Sequence, residues 1–438
     1  MSAKWIPFKF FDTQKFRVDQ IDPTTVTSAA ATSGHVLFGD TDGTIHCISG
    51  PGQEPLMTSV FDHGISFLDA VPETDCIIAV GNNETEVKIS IRGVPDIAEL
   101  GSFRFPAQLE NLPRFITTSP LFDHFVLVLG EKQIYIFTIP QDISNRKRQE
   151  PLKLAEPAML TAPDEVTAIS YCNDSVEGTH IYFTTTTCIG RINTGKRNRW
   201  EIEVIDNRGS PGGATLLKNA RYCVPIGVEV TLYSTTKAPL TIQIEGTPRN
   251  LYQFRNYLVA VYPKGRDTLK IYELNMRRIF GSSKEGSQSR FILFEWSAII
   301  LITEDLNLYM MTENDAEAKV NDLCKSRNQY DFALKLAENE NLSPSIIANI
   351  HRKLGDYHYS RQSMERATTE YIATIGYLEP SYVVTRFLDA QYAEFLVMYL
   401  EALSERHMEE REHTALRFNC YAKLKRNNSL QEVIQQAL

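Results

Sequence analysis

The chain has 438 residues, of which 43% are hydrophobic and 23% charged, and its formal net charge is −9. Those proportions exclude a disordered chain and fit a globular protein that buries a large core. The acidic balance argues against a nucleic-acid binder, which would carry a basic footprint.

No apolar run approaches about 18 residues, so no membrane span is expected. The opening "MSAKWIPFKFFD" lacks the apolar stretch of a secretory signal. Seven cysteines (Cys47, Cys76, Cys172, Cys188, Cys223, Cys324 and Cys420) are scattered and form no C-x-x-C pair. Reduced thiols are expected, with neither a zinc ribbon nor a thioredoxin-like pair. The triplets at Asn83 and Asn173 have the spacing of glycosylation acceptors, and without secretion they read as chance matches.

Along the first three quarters of the chain one unit returns: a β-rich run, a short polar turn and a second β-rich run. It appears as "HVLFGDTDGTIHCIS" from His35, "CIIAVGNNETEVKISI" from Cys76, "HFVLVLGEKQIYIFTI" from His124 and "HIYFTTTTCIGRINT" from His180. It recurs as "RYCVPIGVEVTLYST" from Arg221, "NYLVAVYPKGRDTLKIYEL" from Asn256 and "SAIILITEDLNLYMMTE" from Ser297. The runs are rich in β-branched and aromatic residues, and Asp42-Gly43 is a hairpin turn pair. The spacing, roughly 35 to 55 residues, is close to that of a four-stranded WD40-like blade. Flanking runs such as "PLTIQIEG", "NLYQFR" and "RFILFEW" supply further strands. Seven units predict a seven-bladed β-propeller over residues 1–315. "WIPFKFF" from Trp5 is expected to provide the outer strand that closes the ring, because Trp5, Ile6, Phe8, Phe10 and Phe11 otherwise have nowhere to bury.

"GRINTGKR", residues 190–197, has the glycine and lysine spacing of a phosphate-binding loop and so raises a nucleotide hydrolase. Arg197 stands where Ser or Thr would ligate Mg²⁺, and the next run, "RWEIEVID", reads as a strand, whereas a phosphate loop opens a helix. The expected structure there is a strand, a tight turn and a basic loop.

After about residue 315 the apolar period changes to that of helices. Tyr330, Ala333, Leu334 and Ala337 share a face, as do Met364, Ala367, Thr368, Tyr371, Ile372 and Ile375, with Gly376 as a C-terminal cap. Tyr392, Phe395, Leu396, Tyr399, Leu400 and Leu403 repeat the pattern. Ser343-Pro344 reads as an N-cap with proline in the first turn of a helix through Ile350. A last pair is expected over about 410–425 and from Ser429 onward, through Leu416, Cys420, Tyr421, Leu424, Leu430, Val433, Ile434 and Leu438. Residues 316–438 therefore predict the start of an α-solenoid. Tyr371, Phe387 and Tyr399 could line a pocket, but each sits on an apolar face and core packing is the expected role.

Nothing in the sequence assembles into catalytic, cofactor or metal site residues. There is no G-x-S-x-G or H-E-x-x-H. His407 and His413 in "HMEEREH" are about 120° apart around a helix, which disfavours joint metal ligation. "DTDG", Asp40 to Gly43, resembles the start of a calcium loop but lacks its closing Glu, and hairpin chemistry accounts for it. "NRKRQE", Asn145 to Glu150, reads as a solvated loop between blades, with a localisation or phosphate patch as the other reading.

The run "DYHYSRQSMERATTEYIATIGYLEPSYVVTRFLDAQ", Asp356 to Gln391, resembles the vacuolar protein sorting-associated protein 11 family, class C core subunits of the HOPS and CORVET tethering complexes. "NCYAKLK" at Asn419 to Lys425, "FFD" at Phe10 to Asp12 and "LFGDTDGTI" at Leu37 to Ile45 agree with it. The resemblance implies clathrin heavy-chain-repeat-like helix pairs and a non-enzymatic scaffold in endosome-to-lysosome or vacuole trafficking. It implies other class C subunits as partners, with Rab GTPases and SNAREs reached through the complex. Membrane association would be peripheral, on late endosomes, lysosomes or vacuoles. It covers the N-terminal half of the family pattern, so the family's zinc-binding RING domain is not carried over. A coat or nuclear-pore scaffold of propeller and solenoid is the second reading.

Overall fold

The computed structural model describes residues 6–7, 10–71, 74–82, 86–106, 113–119, 121–143, 150–174, 178–194, 199–217, 221–235, 237–244, 246–263, 269–273, 278–283, 289–327 and 329–424. The chain divides into two compact units, Met1–Glu313 and Asn314–Leu438.

In the first unit the described strands form seven sheets. Each of the first six blades is built on four strands in chain order, interrupted in the third by Leu152–Lys153, which joins the second blade's sheet, and their inner strands pack against one another in succession. Each unit read from the sequence supplies the second and third strands of a blade, beginning with His35–Asp40 and Thr44–Ile48 and ending with Ala298–Thr303 and Asn307–Glu313. These strands lie between two neighbouring blades and bury both faces, which is why they read as near-continuous apolar runs. All six residues of Ala298–Thr303 are buried. Outer strands such as Trp200–Asp206 are largely exposed.

Ring closure differs from expectation in register. The outer strand of the seventh blade is Phe11–Arg17, antiparallel to Asn307–Glu313 with Phe11 opposite Glu313 and Arg17 opposite Asn307. Ile6–Pro7, within the run expected to close the ring, instead adds in parallel to Arg278 and Ile279 at the edge of the sixth blade. The physical reason is that an outer strand needs one wet face. In Phe11–Arg17, Asp12, Thr13, Gln14 and Lys15 are exposed while Phe16 packs on the core. Phe10 and Phe11 are buried, and the Phe11 ring meets Tyr257 edge-on at 5.5 Å. Trp5 and Phe8 lie outside the described residues.

The second unit contains α1 (Ala316–Arg327), α2 (Tyr330–Asn339), α3 (Pro344–Ser360), α4 (Met364–Ala373), α5 (Pro380–Phe387), α6 (Ala393–Glu405) and α7 (Arg411–Leu424). Consecutive helices pack pairwise, α1 on α2, α3 on α4 and α6 on α7. A Cβ on Gly355 of α3 would sit 2.6 Å from the Tyr371 ring of α4, so the glycine permits this close crossing. Ser343 precedes α3 with Pro344 in its first turn, but the serine side chain makes no capping bond. Its Oγ lies 2.9 Å from Ser345 Oγ, and its carbonyl accepts from Ile346 and Ile347. The helix expected from Ser429 onward lies outside the described residues.

Candidate functional site

The residues singled out in the sequence do not converge. Gly190 belongs to the strand Ile189–Thr194, which pairs antiparallel with Trp200–Asp206. A Cβ there would overlap the Phe183 ring and sit 2.8 Å from the Glu203 carbonyl, so packing requires the glycine. Residues 195–198 lie outside the described residues, as does most of "NRKRQE".

"DTDG" closes a hairpin. Asp40 Oδ1 accepts from the backbone N–H groups of Asp42 and Thr44, and its Oδ2 lies 2.8 Å from His46 Nε2. Gly43 has φ of 79°, and a side chain there would collide with the carbonyls of Phe61 and His63.

Tyr371, Phe387 and Tyr399 are fully buried in one cluster of the helical unit. Burial and a bond to Asp356 raise the Tyr371 phenol, and burial pushes Tyr399 up to about 12. Tyr371 and Tyr382 donate to the two oxygens of Asp356 at 2.8 and 2.7 Å. Arg386 stacks 3.8 Å over the Tyr382 ring and pairs with Asp356 at 3.2 Å. This network ties α3, α4 and α5 together. His413 Nδ1 accepts from the Glu410 N–H, which occupies it in the local turn. Among the described residues no three His, Cys, Asp or Glu side chains gather as a metal site, and all seven cysteines are buried and outside any disulfide.

The arrangement with chemistry to offer lies on the second blade. Its strands Glu86–Gly93 and Glu99–Pro106 pair with Lys88 opposite Arg104, Ser90 opposite Ser102 and Arg92 opposite Glu99. Side chains alternate between faces, so one face carries all of these polar groups together with Glu86. That face looks toward the first blade, because Ala79 and Ile77, opposite Ser90 and Arg92, share a cluster with Ile45 and Cys47.

At its centre Lys88 Nζ and Arg92 Nη2 approach the same oxygen, Glu99 Oε2, at 3.1 and 3.0 Å. Arg92 also donates to the carbonyls of Ile97 and Val60. Both cations lie over the Phe61 ring, at 5.5 and 5.6 Å. Burial works to raise the Glu99 carboxyl, but Ser102, Lys88 and Arg92 together hold it below its ordinary value. Burial lowers the Arg92 guanidinium, whose Nε, like Ser90 Oγ, is buried without a hydrogen-bond partner. Outside this centre opens a cleft of about 220 Å³, walled by the connection from Ser59 to His63 and by Glu86, Lys88 and Arg104. Arg104 pairs with Glu86 at its rim at 3.2 Å.

Sequence reasoning passed over this face. Its signal was present in "EVKISIRG": Glu86, Lys88 and Arg92 recur at even spacing inside a strand whose position in the blade calls for apolar residues on both sides.

A family model described as PEP5/VPS11 N-terminal matches residues 5–313, and one described as PEP5/VPS11 clathrin repeat matches residues 359–437. The vacuolar protein-sorting-associated protein 11 homolog of Arabidopsis thaliana is 39% identical over 195 residues, covering 44% of this chain and 21% of that protein. The Dictyostelium discoideum homolog is 25% identical over 475 residues, covering 96% of this chain and 49% of that protein. The Mus musculus homolog is 33% identical over 223 residues, 47% of this chain and 24% of its own. The chain thus spans about half the length of the Dictyostelium relative and a smaller share of the other two.

Proposed function

Because the chain belongs to the PEP5/VPS11 family, we propose that it is a non-enzymatic scaffold subunit of a HOPS- or CORVET-like tethering complex, acting where late endosomes, lysosomes or vacuoles are brought together before fusion. The observation that carries this reading is the order of the two family matches: a propeller segment followed by clathrin-repeat helices in one chain. A propeller over residues 1–315 offers a rigid body with many loops. A solenoid over 316–438 offers a surface whose length sets the distance between bound partners.

The partners proposed are other class C vacuolar sorting subunits, with Rab GTPases and SNAREs engaged through the assembly. Among the described residues no helix is long and apolar enough to cross a membrane. Membrane association is accordingly proposed to be peripheral and through partners. Affinity purification of the tagged chain, followed by identification of the proteins that accompany it, tests the reading. Recovery of tethering subunits is expected; recovery of coat or nuclear-pore proteins in their place would overturn it.

A further inference from the structure

We propose that the cleft between the first and second blades is a docking site for an extended segment of a partner protein that carries one acidic side chain flanked by apolar ones, with its carboxylate entering between Lys88 and Arg104. This inference stands on the seam alone and does not depend on which complex the chain joins.

Charge is the first argument. Lys88, Arg92 and Glu99 are mostly withdrawn from water, with side chains 20%, 8% and 20% exposed. Two cations share one carboxylate oxygen, so this group of three side chains carries a net charge of +1. A charge removed from water is costly until a counter-ion meets it, and the Lys88 ammonium, which lines the cleft, has donors to spare beyond its bond to Glu99. An incoming carboxylate supplies the missing charge. The Arg104–Glu86 pair at the rim is balanced and more exposed, and there Arg104 can turn toward a second acceptor. Asp62 and His63 are exposed at the mouth. Asp62 is itself a carboxylate lining this mouth, so an isolated acidic residue is favoured over an acidic run.

Size is the second. A volume of about 220 Å³ is below the roughly 300–1,000 Å³ of small-molecule sites and suits an inserted side chain better than a cofactor.

The third is the backbone beside it. The strand Leu56–Ser59 forms the outer edge of the first blade's sheet and leads directly into the cleft wall at Ser59. Leu56 pairs with Cys47 and so stands on the seam side, 57% exposed. An edge strand offers unpaired backbone groups to an extended chain, while side chains at alternate positions provide selectivity. The protein uses this mode on itself: Leu152–Lys153 adds in parallel to the outer strand of the second blade.

The experiment is selection of random dodecapeptides displayed on phage against the full chain, with counter-selection on the Lys88→Met/Arg104→Ala double variant. Peptides depleted by counter-selection should carry a single Asp or Glu between apolar residues. Synthetic copies should lose about tenfold in affinity when that residue becomes Asn or Gln, lose as much on the double variant, and weaken with salt. Arg104→Ala alone, at an exposed position, keeps the test readable if the double variant fails to fold, and should itself cost a few-fold. The proposal falls if no recovered peptide depends on Lys88 and Arg104, or if those that do lack a carboxylate. It also falls if inorganic phosphate binds there and no peptide does, which would make the cleft a free-anion site.

Discussion

The second blade presents the same two strands to two neighbours and solves the contact in opposite ways. Toward the third blade, Val87, Ile89 and Ile91 combine with Phe103 and Phe105, which pack on Phe125, Phe137 and Tyr135. Phe125 and Phe137 stack at 4.5 Å, while Phe103 and Phe105 meet Phe137 edge-on at 5.4 and 5.8 Å. Toward the first blade the outer half is charged and leaves open space. Apolar packing is non-directional and fills volume until none remains. Ion pairs need fixed geometry and satisfied partners, so a charged seam closes only where its groups meet. One seam therefore glues blades together, and the other holds them while keeping a surface for something else.

Breaking the aromatic seam should cost most. Phe137→Ala removes a fully buried ring with three aromatic neighbours and should destabilise the propeller by about 3–5 kcal/mol in urea unfolding. A loss under about 1 kcal/mol would mean that this seam contributes little to holding the blades.

The charged seam should be next. Glu99→Gln strands Lys88 and Arg92, and because the group keeps some water contact the cost should be about 2 kcal/mol, below that of a fully buried pair. Adding Arg92→Met should recover part of the loss, since the uncompensated charge is gone. The Glu99 carboxyl is held below its ordinary value in the folded chain. Its contribution is present above the unfolded carboxylate range and is lost as pH falls through the lower folded value. The gap between wild type and Glu99→Gln should accordingly close below about pH 4. A gap that persists there would remove the ion-pair explanation.

Asp69 sharpens the contrast from the apolar side. It pairs with Ile78 on the face that carries Phe67 and joins the cluster with the third blade, and burial pushes its carboxyl up to about 7. The folded chain binds this proton more tightly than the unfolded chain. The group therefore subtracts nothing from stability below about pH 4, progressively more up to about 7, and its full penalty above. Asp69→Asn should raise the melting temperature at pH 8 and leave it unchanged at pH 4, read from paired thermal melts. An equal shift at both values would mean that titration is not the cause.

The smallest effect belongs to the rim. Arg104, with its side chain 63% exposed, should tolerate Ala within about 0.5 kcal/mol. A larger loss in the same melts would make the rim part of the structural seam.

What the sequence disclosed follows the same division. The seven central hairpins were legible because strands buried on both faces leave continuous apolar runs, as in Ala298–Thr303. The closing strand was misplaced by several residues because "WIPFKFF" looks more β-like than "FDTQKFR", although only the second has the wet face an outer strand needs. In the helical unit, the face of α4 through Tyr371 was plain. Neither α1 nor α5 was drawn as a separate helix, since the described buried apolar residues of α1 are Val320, Leu323 and Cys324, and α5 is two turns with Val383 and Phe387 inside. The cleft was invisible because its charges are spread over two strands and one connection, and only sheet register brings them together.

The pairing of Phe11–Arg17 with Asn307–Glu313 also fixes a timetable. Roughly 300 residues separate the two strands, and at ~5–20 residues per second the ribosome needs about 15–60 s to deliver the second after the first. For that interval Phe11–Arg17 has no partner, and the first blade waits beside an unfinished neighbour. Contacts of such sequence separation form late and slowly. A nascent chain stalled before residue 307 should therefore be the species that chaperones hold and proteases cut.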